Sequence, residues 1–141
     1  MRSPTGAAAI LAVLAGASPA DAMTDYKWKY RPLVVFADNE ALAPLAAQRR
    51  MVSASRASLT ERNVVVIWVV GDTVSAEFGP HPKQSAKALR ARFGAPQTGF
   101  RAMLVGKDGG TKLNSASPLS AGALYATIDA MPMRQNEMRR Q

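Results

Sequence analysis

A single α/β domain built on a mixed sheet is what this sequence predicts, and three observations carry that prediction. Two continuous apolar runs, Pro32-Leu33-Val34-Val35-Phe36-Ala37 and Val64–Val70, show no polar alternation, as strands covered on both faces require. Between them Leu42, Leu45, Val52 and Leu59 recur at helical spacing, so a helix over much of residues 40–60 crosses from one strand to the other and makes the pair parallel. Downstream, residues 100–106 and 111–114 flank Lys107-Asp108-Gly109-Gly110, whose Asp-Gly pair supplies the positive φ angles of a tight antiparallel hairpin.

The elements follow in order. The first strand ends at Asp38-Asn39, and the helix after it has an open start, because Pro44 is tolerated in a first turn but kinks a helix that begins at Asn39. Val64–Val70 is the most β-branched stretch, is expected at the centre of the sheet, and is ended by Gly71-Asp72. Gly79-Pro80-His81-Pro82 is a turn, and residues 83–93, closed by Gly94, form a second helix with Arg90 and Arg92 in its last turn. Ser120 caps a final helix whose Ala121, Leu124, Tyr125 and Ile128 share a face, and Leu119 staples onto Leu124 across the cap. Pro132 ends or kinks that helix and leaves a basic, Met-bearing tail over residues 133–141.

The resulting order is strand, helix, strand, helix, strand, strand, helix. A four-stranded mixed sheet of two parallel strands plus a hairpin, flanked by helices, is the thioredoxin-like arrangement. A small doubly wound α/β domain is the alternative, and the hairpin argues against it.

Residues 1–22 read as a signal peptide: Arg2, an uncharged apolar run over residues 6–17, then Ser18-Pro19 and the small residues Ala20 and Ala22 before a cleavage point preceding Met23. That run is shorter than the roughly 20 residues a membrane span needs, and an uncleaved anchor is the alternative. The remaining 119 residues suit one domain, residues 23–141, carrying the basic tail. The expected setting is exported, periplasmic or secreted. The 141 residues contain no Cys, which excludes disulfide exchange, thiol peroxidase chemistry, Cys metal sites and a lipoprotein anchor. Setting aside Arg2 and Asp21 leaves 17 Lys and Arg against 9 Asp and Glu, still a formal +8, a surface that attracts polyanions and anionic membranes without specifying one.

In a thioredoxin-like domain, reactive residues stand where the first strand meets its helix. Here that place reads Asp38-Asn39-Glu40. Asp38 and Glu40 are candidates for a carboxylate pair, although acids and amides just before a helix also serve as caps. Pro96, just before the third strand, occupies the region where such domains carry a cis proline facing the site, so Asp38, Asn39, Glu40 and Pro96 outline the expected cleft. His81 is the only histidine and lies between two prolines, a poor metal ligand or base by itself. Gly106-Lys107-Asp108-Gly109-Gly110 lacks the spacing of a phosphate loop and opens no helix. No metal or cofactor is therefore expected. Lys83, Lys87 and Arg90, at i, i+4 and i+7, with Arg92 close by, form the expected polyanion stripe, without the interleaved aromatics of a single-strand nucleic-acid binder.

Three segments together carry a resemblance: Tyr30-Arg31-Pro32-Leu33-Val34-Val35-Phe36-Ala37, Phe100-Arg101-Ala102-Met103-Leu104-Val105-Gly106-Lys107-Asp108-Gly109-Gly110, and Ile128-Asp129-Ala130-Met131-Pro132-Met133-Arg134. They resemble the bacterial branch of the DUDES family, domain of unknown function 4174, over about residues 25–140. The resemblance implies a thioredoxin-like fold related to peroxiredoxin-like domains, an extracytoplasmic setting, and animal relatives in secreted matrix-associated proteins. It implies no established activity, and fold analogy does not fix one.

The leading expectation is a non-enzymatic envelope module that binds a protein, peptide or polyanion at the cleft between Asp38, Pro96 and the basic helix. The alternative is an enzyme of unfamiliar, cysteine-independent chemistry in which Asp38, Thr98 and Arg101 converge on a small anion or a metal. Export argues against a nucleic-acid partner.

Overall fold

Strand β1 (Arg31–Ala37) is buried at every position, as its unbroken apolar run requires, and a computed structural model that describes residues 23–141 places it at the centre of the sheet. The signal-peptide expectation falls on residues 1–22 and lies outside the described residues. Helix α1 (Ala43–Ala54) and the short α2 (Arg56–Glu61) lead to β2 (Val64–Val70), which pairs with β1 in parallel from Arg31↔Val64 to Ala37↔Val70. Next come β3 (Thr73–Glu77), α3 (Ala86–Phe93), β4 (Phe100–Val105), β5 (Thr111–Ser115), α4 (Ala121–Asp129) and α5 (Pro132–Arg139). The sheet order is β3-β2-β1-β4-β5; β3 and β4 run antiparallel to β2 and β1, and β5 runs antiparallel to β4.

The sheet therefore has five strands, not the four expected. Gly71-Asp72 does not end it but turns it, because Val70 pairs with Thr73 and Gly71 takes φ +56° in the two-residue link. β3 is a half-exposed edge, so its sequence lacks the apolar run that marks β1 and β2. β2 is not the centre of the sheet: β1 lies there, between β2 and β4, and β3 covers the outer side of β2. The long helix over residues 40–60 is two helices broken at Ser55, and α1 accepts Pro44 in its first turn. Pro132 likewise starts a helix: most of the basic, Met-bearing tail, residues 132–139, is α5.

Alternation along the strands divides the core between the two faces. One face packs Leu33, Val35, Val66 and Trp68 against Leu45, Val52, Leu59, Leu124 and Ile128 of the helices. The other packs Val34, Phe36, Ile67 and Met103 against Ala86 and Leu89 of α3 and against Met23 and Tyr26. Burying each large side chain contributes about 1.5–3 kcal/mol. Gln48, fully buried, both donates to and accepts from the backbone of Leu119 at 3.0 and 2.8 Å, tying α1 to the approach of α4. Ser85 and Ser120 cap α3 and α4 by accepting the Ala88 and Ala123 N–H groups at 3.1 Å. Ser85→Ala leaves the Ala88 N–H to water and is expected to cost about 1 kcal/mol, measured by urea unfolding.

Helix α5 is fastened by ions. Arg31, fully buried at the start of β1, donates to both Glu137 oxygens at 3.2 and 3.0 Å, and the Lys107 ammonium reaches the same carboxylate at 2.7 Å. Arg134, 2% exposed, bonds Glu61 at 2.7 Å and Asp129 at 3.1 Å, and Arg62 also holds Asp129. Burial pushes the Glu137 carboxyl up, but the hydrogen bonds from Arg31 and Lys107 outweigh it and hold it below its ordinary value. The Arg62 hydrogen bond lowers Asp129, and the Arg134 hydrogen bond lowers Glu61. All three are depressed in the folded state, so their contribution is complete above the unfolded carboxylate range near 4 and is lost as pH falls through the lower folded values. An acid titration followed by circular dichroism is therefore expected to show a plateau above about pH 5 and falling stability below about pH 4. The double variant Asp129→Asn, Glu137→Gln should flatten that dependence.

Candidate site at the carboxyl ends of the parallel strands

The parallel strands β1 and β2 end together at Ala37 and Val70, and β4 begins beside them, with Phe100 opposite Ala37 and Arg101 opposite Phe36. In open α/β sheets the carboxyl ends of the strands are where ligands bind, because the chain leaves the sheet there and its last carbonyls need partners. Arg90 supplies them from α3. It is 6% exposed and donates to the Gly71 carbonyl at 2.7 Å and the Ala37 carbonyl at 3.1 Å, so one guanidinium ties the two strand ends together. The Gly71 N–H also reaches Ala37 O at 2.9 Å, and a Cβ on Gly71 would meet Asp38 O at 3.3 Å. Glycine is favoured there by both the contact and its φ.

The expected site residues divide once placed. Asp38 is half-buried, and its Oδ1 is shielded from solvent without a hydrogen-bond partner. It caps no helix: the N-cap of α1 is Leu42, which provides no side-chain bond. Asn39 Oδ1 accepts the Ala41 N–H at 2.9 Å within its own turn. Glu40 accepts two bonds from Arg49 at 3.0 and 3.1 Å, and Arg49 lies 4.5 Å over the Trp68 ring, so Glu40 is committed to a surface pair. Arg101 donates to Asn114 Oδ1 at 3.1 Å, and its Nε is buried without a partner. Thr98 and Pro96 are exposed in the loop before β4, and the bond preceding Pro96 is trans. Among the described residues no hydrogen bond or ion pair joins Asp38, Thr98 and Arg101.

The basic stripe is not continuous. Lys83 lies in a bend before α3, Lys87 is exposed on the helix, and Arg90 is turned inward to the strand ends. Arg92 is half-buried over the adjacent Phe93 ring at 5.0 Å, its Nε shielded and unpartnered. Arg90 was open to detection: Ala86, Leu89, Arg90 and Phe93 fall at i, i+3, i+4 and i+7, the core stripe of a helix. Both ring nitrogens of His81 face carbonyls, Pro82 O at 2.6 Å and Val74 O at 2.8 Å, a turn-holding role.

One regularity emerges. Of the five buried side-chain polar atoms without a partner among the described residues, Asp38 Oδ1 and the Nε atoms of Arg90, Arg92 and Arg101 belong to this end of the sheet or to the helix end beside it; Arg31 Nε lies elsewhere. Native structures leave few such atoms, and each calls for an explanation such as a bound partner. The set offers one acceptor and three donors, chemistry suited to a ligand that has both. Among the described residues no three His, Cys, Asp or Glu side chains are grouped to hold a metal, and no helix is long and apolar enough to cross a membrane.

A family model described as a domain of unknown function (DUF4174) matches residues 22–137. Neither a curated protein nor a solved structure matches the chain.

Proposed function

Because the chain belongs to the DUF4174 family, whose description names no activity, we propose from its geometry that it is an exported, non-enzymatic binding module with a thioredoxin-like core. The strand order β2-β1-β4-β5, with β1 and β2 parallel and β4-β5 a hairpin, supports the thioredoxin-like reading, and β3 is then an added edge. The apolar, uncharged run over residues 6–17 supports export.

The observation that carries the binding reading is that Asp38, Arg90 and Arg101, all at this end of the sheet, each leave a buried polar atom without a partner. These atoms are closed to solvent, so a ligand meets them only as the side chains over them swing aside; a peptide segment then fits best, its carbonyls accepting from guanidinium Nε atoms while its N–H groups donate to Asp38. A bare polyanion satisfies the arginines and leaves the Asp38 oxygen unpaired and repelled.

A thermal-shift series on the protein tests this, since a ligand that binds only the folded state raises the melting temperature; at 100 times Kd the stabilisation is about 2.7 kcal/mol. Peptide mixtures are expected to raise it, with the shift lost in Asp38→Ala and in Arg101→Ala. A shift with polyanions alone, abolished by salt, would place recognition on the basic surface instead. A salt-resistant shift with one small molecule, lost in Asp38→Ala, would favour the enzyme alternative.

A further inference from the structure

We infer that the chain carries a second binding site, at the opposite end of the sheet, for a small organic monoanion: a carboxylate on a compact apolar body. A pocket of about 180 Å³ opens between the start of β1, the β4–β5 turn and the junction of α4 with α5. Its polar wall is Arg31, Lys107, Lys112 and Asp108, and its apolar wall is Met131-Pro132-Met133. The site lies apart from Asp38 and does not depend on the peptide reading.

Charge selects a monoanion. Glu137 is shared between Arg31 and Lys107, and the Asp108 carboxylate is taken up by the Gly110 N–H at 2.9 Å and by Lys112 at 3.0 Å. Three cations of the pocket wall thus face two carboxylates, which leaves one positive charge uncompensated. Arg31 holds that charge in place from within the wall: its side chain is fully buried, and its terminal nitrogens donate to the Arg62 carbonyl at 2.8 Å and to Glu137. The eight-residue helix α5 begins at Pro132 in the pocket wall, its N-cap Met131 makes no side-chain bond, and its first turn holds no acid. Its free N–H groups and the positive end of its dipole therefore add to the field that favours an anion.

Size and lining select the body. A cavity of roughly 150 Å³ lined by apolar side chains holds a benzene ring, and drug-sized ligands need roughly 300 Å³ or more, so this pocket fits a single ring or a short branched chain. Met131 and Met133 offer polarisable sulfur to an aromatic edge. Inorganic phosphate has no body for that wall and carries more charge than the site compensates.

The test is a titration of the full chain with benzoate, read at the methionine methyl resonances, beside benzyl alcohol as the uncharged match and inorganic phosphate as the bare anion. Benzoate is expected to shift the Met131 and Met133 methyls saturably, with benzyl alcohol weaker by about tenfold and phosphate failing to displace it. Lys112→Met should weaken benzoate about tenfold, and Met133→Asp, which sets a carboxylate at the rim, should do the same; Asp38→Ala should leave it unchanged. The proposal is overturned if those two methyls do not respond, if benzyl alcohol binds as well as benzoate, if phosphate displaces it, or if both pocket variants bind like the parent.

Discussion

Trp68→Ala is expected to lower the unfolding free energy by about 3–5 kcal/mol, a large fraction of what a domain of this size has. Trp68 is 2% exposed in β2 and packs in the core on the face covered by α1, α2 and α4. Truncation removes the transfer energy of the ring and leaves a void that close-packed neighbours cannot fully close. Two further contacts go with it. The indole N–H donates to Glu77 Oε2 at 2.6 Å across the β2–β3 pair, and Arg49 loses the ring beneath its guanidinium. Trp68→Phe keeps most of the volume and deletes the donor, so it should cost about 1.5–3 kcal/mol, the worth of a hydrogen bond to a charged group. Urea unfolding checks both: the midpoint should fall with an unchanged slope. A cost below about 1 kcal/mol for the alanine variant would mean that the ring is not packed as described.

Glu137→Ala is the second large effect, about 3–5 kcal/mol, because it strands two buried cations at once. Arg31 is fully buried and Lys107 is 9% exposed, and Glu137 is the carboxylate they share. Glu40→Ala is the control. It also removes a carboxylate bonded to an arginine at 3.0 Å, but Glu40 and Arg49 are 69% and 36% exposed, and such a pair contributes less than about 1 kcal/mol. Denaturation at low and high salt separates the two, since screening weakens the exposed pair and barely touches the buried one. Equal costs for the two variants would show that the Arg31–Glu137 contact is solvated.

How much of this is legible in the sequence depends on how far each feature is a matter of period and burial. β1 and β2 are legible because Leu33 to Ala37 and Val64 to Val70 leave no polar face, and the Ser120 and Gly94 caps because their chemistry is local. The Asp-Gly hairpin is legible too, though only Gly109 takes a positive φ; Asp108 instead accepts the Gly110 N–H through its side chain. β3 escapes because a five-residue edge strand buries too little to leave an apolar signature. α5 escapes because Pro132 reads as a stop, whereas a first turn tolerates proline. The candidate site is half legible. The place where β1 meets α1 follows from topology, and Asp38 stands there, but spacing cannot say that its oxygen lacks a partner. Nor does it say that Arg90 spends its charge on two carbonyls, although the 86-89-90-93 stripe places it on the core side.

The clasp on α5 also governs when the chain can finish folding. Arg31 and Glu137 are 106 positions apart, and the central strand needs β4, from Phe100 onward, to complete its ladder. A chain growing at roughly 5–20 residues per second therefore exposes an unfinished middle strand and an unmatched arginine until Glu137 emerges. Truncation after Asn136 would remove that carboxylate and leave Arg31 and Lys107 uncompensated, so the last turns of α5 act as a latch that makes full stability a late, whole-chain property.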